Sequence, residues 1–556
     1  MRAPSVRSLT AFAALGAALG AAALAPACWS DDRPVQWDRP RDLLGPIALK
    51  AQVAYIDPAL DRVVLIDLTG DHPAVAHTAI GRRAMYAVPS DDRHRLFVIT
   101  RGEQAVHPGE VDQAPMFWVV DVQHPGSAVS YPIGSPFDRI AVSPDGKLAV
   151  TYYSAGGTDP DGVFRNPNEL AVIDLTSPPG AANPALETIR SFGSVPEGIA
   201  LSPPMVLPGS PDPAPRTFAF ILSASTLTVL DASHPDRHEV SIRLDLGGTA
   251  VVPRQVVFAP GSASAYVRSD SARDVLQVAL EPQAPDPTDP GDNDFRAVVA
   301  ELGAGGGPSD VAVYDDAGGR RVVLAATPDT HEVVVIDADT AQFRSIPIPD
   351  PINRVLVFPS ADGPPHRALF ATISAAGAAG AGTGSASGGV AGLSRVWLLD
   401  LDHVADPLAQ VVPVEIDLGK PVHDVVPVPG RDLALIVHDD ARTVLGVLDL
   451  ATSATAPLLG AGQLDSYAFS PTGDYLIGAT RGVARVGFVA LDNLHPTDFR
   501  LDDAPAHVLS TANDKIFVDH GGPLGHATII PSPTAGRGDA TVLTGFLTAG
   551  LLDEDH

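Results

Sequence analysis

The chain has 556 residues, and 66 Asp plus Glu against 37 Lys plus Arg give it a formal charge of −29. That balance excludes a broad basic face for DNA, RNA or anionic lipid. With 45% hydrophobic residues the chain is no disordered acidic polymer. Its 51 Gly and 53 Pro favour a turn-rich all-β protein over long helices.

The first elements are an export signal. Arg2 and Arg7 form a positive start, Leu9 to Leu24 an Ala-rich apolar run, and Ala25-Pro26-Ala27 a small-residue exit. The run is shorter than the ~20 residues of a membrane span, and no later segment is long and apolar enough to be one. Residues 1–27 are therefore expected to be a signal peptide, whose loss makes the chain two units more acidic. Cys28, the single cysteine, follows at once. Its place invites lipidation after cleavage, in a lipobox-like setting with Leu24 one position early, although plain secretion with a stray cysteine reads the same residues. No internal disulfide can form. Residues 28–45 (WSDDRPVQWDRPRDLLG after Cys28) are read as a tether, 46–548 as the folded domain and 549–556 as an acidic tail.

From residue 50 onward one phrase recurs. A short apolar strand ends in a Pro/Asp/Gly turn, a second strand follows, and a third closes on an apolar-Asp-apolar triplet. The clearest opening is DRIAVSPDGKLAVTYYS (138–154), followed by NELAVIDL (168–175). Related openings lie at 86–100, 253–267, 422–437 and 465–479, with looser copies near Gly198, Ser309, Asn353 and His507. The closing triplets centre on Asp67, Asp121, Asp174, Asp231, Asp337, Asp400 and Asp449. An aspartate at a strand end caps its own turn far more often than it joins an acidic site. Three or four strands repeated at forty to fifty residues mark a β-propeller, whose thin sheets must pack on one another around an axis.

These phrases resemble the YVTN/YncE-type propeller repeat over nearly all of residues 50–548. The resemblance implies a bacterial exported protein and a ring of four-stranded blades, seven by family habit. The count of nine openings fits about eight blades better, with nine also open. The fragment KAQVAYIDPALDRVVLIDL (50–68) resembles the middle of a blade and is expected to pair with C-terminal strands to close a single ring.

Low-complexity stretches carry little chemistry. Residues 374–393 are a Gly/Ala/Ser run, and 281–294 (EPQAPDPTDPGDND) read as a solvated acidic loop whose prolines break any EF-hand spacing. TDPDGVF (158–164) is a similar turn. No G-x-S-x-G, Walker loop, H-E-x-x-H or cysteine cluster occurs.

Antiparallel pairing adds one inference about position. The start of a blade's first strand lies beside the end of its second, at the same end of the ring. That rule places His423, His438, Asp439, His507 and His520 at one end, where imidazoles and carboxylates could ligate zinc, iron or copper. Asp138, Arg139, Glu197, Arg254, Asp310, Arg354, Asp424, Asp465 and Arg481 fall at the same end and would line a polar ligand funnel, with Gln255 and Asn353 beside them. Water-facing strand starts are polar in any propeller, so position alone does not make a site. The first functional reading is a non-enzymatic binding scaffold, anchored in the cell envelope by Cys28, for an envelope protein or a small polar ligand. It requires no cofactor, no nucleic acid and no membrane contact beyond the anchor. The alternative is a metal-assisted, lactonase-like hydrolase or lyase at the histidine end. A redox accessory role ranks third, since no haem-attachment motif is present.

Overall fold

A computed structural model describes residues 42–105, 111–154, 166–189, 195–210, 213–244, 251–358, 363–374, 391–402, 404, 406, 411–438, 446–458 and 464–548. It consists of ten four-stranded antiparallel sheets, each built from four consecutive strands. Blades 1 to 10 span 44–79, 84–132, 139–188, 198–243, 252–303, 310–347, 354–417, 422–457, 466–500 and 507–544. Among the described residues, no helix is long and apolar enough to cross a membrane.

The core is divided into ten hydrophobic clusters, each shared by two neighbouring blades. One joins blades 1 and 2 through Leu65 and Val98, and another joins blades 9 and 10 through Phe488 and Val518. The last joins blade 10 to blade 1, through Phe517, Ala527, Val53 and Tyr55, so the ring is closed. Burial explains the strand patterns. The second and third strands lie between flanking blades and read as continuous apolar runs, as in Phe218–Ser223 and Thr226–Asp231, buried throughout. Outer strands such as Val240–Arg243 and Thr541–Thr544 alternate instead, because one face looks outward.

Ten blades correct the expectation of about eight, and the manner of closure is corrected with it. Residues 50–68 do not pair with C-terminal strands. They hold the second and third strands of a complete first blade, Gln52–Asp57 and Arg62–Asp67. The missing inner strand is Leu44–Ala48, which begins inside the presumed tether. Its sequence, LGPIA, hides it: Pro46 is a poor strand signal, and the pairing with Gln52–Asp57 is irregular between Leu44 and Ile47. Gly45 makes that irregularity feasible, with φ +128° and an added Cβ only 2.9 Å from the Ala54 carbonyl oxygen.

Turn chemistry matches the repeat. Ser143 Oγ donates to Asp145 Oδ1 at 2.7 Å and accepts the Leu148 amide at 2.9 Å, fixing the SPDG turn. All seven closing aspartates accept a backbone amide of their own turn, as Asp67 does from Thr69 at 2.8 Å and Asp449 from Ala451 at 2.9 Å.

The acidic loop of blade 5 departs from its reading as merely solvated. The strands flanking it, Asp274–Pro282 and Phe295–Gly303, are nine residues each, and its end reaches blade 4. There the buried Arg216 donates twice to Asp294, at 2.6 and 2.7 Å, and once to Asp231 at 3.3 Å. Arg237 also pairs with Asp294. Asp286 and Asp289 remain at the surface, and the half-buried Asp292 accepts the Asp286 amide at 2.7 Å.

Candidate functional site: a polar collar at the mouth of the ring

Neighbouring blades approach one another through their first strands, which are therefore innermost and border the axis. A first strand pairs on one side only, so amides on its channel edge need other acceptors. The mouth, the end where first strands start, supplies them from the preceding blade. The Val355 amide of blade 7 donates to Asp310 Oδ2 of blade 6 at 2.9 Å. The Val311 amide of blade 6 donates to Gln255 Oε1 of blade 5 at 3.3 Å, while Gln255 Nε2 donates to Asp310 Oδ1 at 2.9 Å. The Val508 amide of blade 10 donates to Ser466 Oγ of blade 9 at 2.9 Å.

Part of the collar fastens blade to blade, and the rest bonds within single blades. Arg354 lies 3.5 Å from Asp310. Arg254 pairs with Glu197 of blade 4 and with Asp270 at 2.7 Å, which also accepts from Arg268 at 3.1 Å. Asp138 accepts the Ser154 amide at 2.8 Å, and Arg139 lies over the Tyr86 ring of blade 2 at 5.2 Å. Asp424 accepts the Val425 amide at 2.8 Å, and Asp465 accepts the Arg481 amide at 2.5 Å. Asn353 bonds both ways with Ile373, at 2.9 Å each. The nine residues lie at or beside the starts of first strands or the ends of second strands, and most are engaged with the protein itself.

The histidines are dispersed. His423 Nδ1 faces Ser374 Oγ at 3.0 Å, and His438 Nδ1 donates to the Pro421 carbonyl at 3.2 Å. His507 Nδ1 donates to the buried Asp519 at 3.2 Å. His520 Nδ1 donates to the Ala504 carbonyl at 3.2 Å, which leaves Nε2 to accept from Thr528 Oγ1 at 2.8 Å. Burial pushes the His520 imidazole below its ordinary pKa, an effect reinforced by His526, stacked on it at 4.4 Å, and opposed by the Ala504 bond. Beside Asp519, the buried Tyr55 hydroxyl of blade 1 is pushed up, by burial first and by that carboxylate second. Among the described residues no group of three His, Cys, Asp or Glu is disposed to hold a metal ion. Asp439 and Cys28 lie outside the described residues. Sequence reasoning missed Ser466, Asp270, Tyr86 and Tyr55, all contacts between blades or across a hairpin that no local pattern marks.

Both ends of the ring carry long connections. Segments 101–115, 153–168 and 372–394 join the second and third strands of blades 2, 3 and 7 at the mouth. The opposite end carries tight turns such as Ser143–Lys147 and long connections of its own, 202–217, 283–294 and 401–413 in blades 4, 5 and 7. Insertions on a rigid scaffold are the usual bearers of specificity.

No protein-family model and no curated protein matches the chain. Among solved structures, it is similar to the dihydro-heme d1 dehydrogenase NirN, at 12% identity and a TM-score of 0.40, covering 85% of this chain and 78% of that one. It is similar to the Dos1 propeller at 12% identity and 0.38, covering 68% and 89%. A eukaryotic initiation factor gives 12% and 0.41, covering 81% and 97%.

Proposed function

We propose that this chain is an exported bacterial lipoprotein of the YVTN/YncE type, held in the cell envelope through Cys28, whose ring presents its mouth to an envelope protein or a small polar ligand. One observation carries the binding role. The mouth holds a collar of charged and hydrogen-bonding groups locked in place by contacts from blade to blade, as at Gln255, Asp310 and Arg354. Groups held this way need little ordering when a partner arrives, which is how preorganisation raises affinity. Anchoring rests on the leader and on the position of Cys28; two or more acyl chains suffice for stable attachment.

Two experiments test the two parts separately. Labelling with a radioactive fatty acid should mark the wild type and spare Cys28→Ser; equal labelling removes the anchor. For binding, the purified ring is crosslinked in envelope extract beside an Arg139→Ala/Arg481→Ala mouth variant and an Asp91→Asn/Asp145→Asn variant of the opposite end. A partner lost only by the mouth variant supports the assignment. Capture that depends on the opposite end alone overturns it.

A further inference from the structure

The innermost strands record how open the channel is. A first strand has its second strand behind it and a neighbouring blade on either face, so solvent reaches its middle only from the axis. Second strands such as Leu148–Tyr152 and Phe218–Ser223 are buried almost throughout. First strands are not: residues 85–89, 254–258 and 466–469 are half-buried at every position. The ring of ten blades therefore surrounds an open channel.

Beyond the collar the wall of that channel is apolar. It presents Tyr86 and Val88 of blade 2, Val142 of blade 3, Val257 of blade 5, Leu356 of blade 7 and Phe469 of blade 9, all half-buried. The apolar stretches 86–88, 256–258 and 467–469 give this band a depth of roughly 10 Å.

One cation of the collar stands over the wall with most of its hydrogen-bonding capacity unused. Arg139 shares a face of its strand with Ala141, which packs towards blade 4, yet its guanidinium lies over the Tyr86 ring of blade 2 at 5.2 Å. The side chain thus crosses its own strand at the mouth. It donates through Nη1 to the Asp138 carbonyl at 2.8 Å, and among the described residues no carboxylate answers it. The Asp138 carboxylate is buried and turned to the Ser154 amide at 2.8 Å. Arg254 and Arg354, by contrast, are paired with Glu197 and Asp310. A planar guanidinium held in this way matches a carboxylate through two parallel hydrogen bonds.

We propose that the channel takes an anionic amphiphile, a long-chain monocarboxylate, with its head on Arg139 and its tail along Tyr86, Val88, Ala141 and Val142. The inference rests on the mouth being the binding face and names the chemistry of its ligand. Both halves of the molecule are needed. A wholly polar ligand leaves the apolar wall against water, and a hydrocarbon makes no use of the guanidinium. The net charge of −29 does not forbid an anion here, because charges more than about 10 Å away are screened at ordinary salt.

The test uses the exported chain carrying Cys28→Ser, purified without detergent, so that neither an anchor nor a micelle supplies a tail. Monomeric decanoate should give saturable heat in calorimetry. Butanoate, which lacks the tail, and decanol, which lacks the charge, should each bind at least about tenfold more weakly, and Arg139→Ala should weaken decanoate by a similar factor. A photoreactive diazirine in the tail should label the strands at 84–89 and 139–142. Absence of saturable binding overturns the proposal, as does binding that Arg139→Ala leaves unchanged or labelling confined to outer strands. Binding seen only with phosphatidylethanolamine/phosphatidylglycerol vesicles makes a membrane the occupant and overturns it too. If decanoate fails while mouth-dependent crosslinking to an envelope protein persists, this inference falls and the mouth remains the binding face. Failure of both removes the face itself.

Discussion

Asp310, the first residue of one inner strand, accepts at 2.9 Å the amide of Val355 on the next blade. The same carboxylate takes Gln255 Nε2 at 2.9 Å and the Val311 amide at 3.0 Å, so one buried side chain fastens three blades. Its removal strands the amide of the buried Val355 and takes a partner from Val311 and Gln255, and each buried group left unsatisfied costs about 1–3 kcal/mol. Asp310→Ala is expected to lower stability by about 2–4 kcal/mol, and Asp310→Asn by less, since its amide oxygen still accepts. Asp424, which among the described residues serves its neighbour's amide, should tolerate Ala with a loss below about 1 kcal/mol. Urea unfolding of the three variants checks the ranking.

Closing aspartates share a motif and not an environment. Asp121 is exposed and caps Gln123 at 2.8 Å, with His124 beside it at 3.0 Å. Asp231 makes the same cap and the same histidine contact, but it is fully buried and also receives Arg216 at 3.3 Å. Asp121→Ala should cost about 0.5–1 kcal/mol and Asp231→Ala about 2–3 kcal/mol, because hydrogen bonds to charged groups are the stronger ones. Equal midpoints in thermal unfolding would contradict this.

The difference between those two residues shows what local pattern conveys. Strand positions, SPDG turns and aspartate caps are decided within a few residues, so periodicity and turn chemistry reveal them. The common end of Asp310, Arg254 and His507 follows from antiparallel pairing alone. Partners across blades do not follow. Gln255 and Asp310 are separated by a whole repeat, and nothing near either residue encodes their contact. The histidines are separated for a related reason: His423 and His438 belong to blade 8 and His507 and His520 to blade 10, so a shared end leaves blade 9 between them. Blade number was legible in principle, since nine openings plus the 50–68 fragment are ten units. It was obscured by the proline in Leu44–Ala48 and by a family habit of seven.

Two groups give the fold an acid-side pH dependence in separate windows. His520 is pushed below 6.5, chiefly by burial, so the unfolded chain protonates first. Stability contributed by the neutral imidazole is therefore lost as pH falls below about 6.5. Asp294 is held far below its ordinary value of 3.8, first by the Arg216 hydrogen bonds and then by Arg237. Its contribution is complete above 3.8 and disappears at lower pH. Melting temperature should rise from pH 5 to 7 in the wild type and flatten in His520→Gln. Asp294→Asn should instead flatten the fall below pH 4, while lowering stability at neutral pH because the buried Arg216 loses a charged partner.

Closure of the ring depends on residues beyond the last strand. Phe546 and Leu547 are buried in the cluster between blades 10 and 1, with the Phe546 ring 5.5 Å from Tyr55. Arg62 Nη2 of blade 1 donates to the Leu547 carbonyl at 2.9 Å, and the Leu547 amide donates to Leu524 at 3.1 Å. The segment is thus a wedge that joins the two ends of the chain without sharing a strand between them. Phe546→Ala removes a buried ring and should cost about 3–5 kcal/mol. The loss is local, since nine other interfaces keep their own clusters. Hydrogen exchange should therefore accelerate in residues 44–79 and 507–548 and remain as in the wild type in blades 4 to 7. Uniform acceleration around the ring would show instead that closure stabilises all ten blades as one cooperative unit.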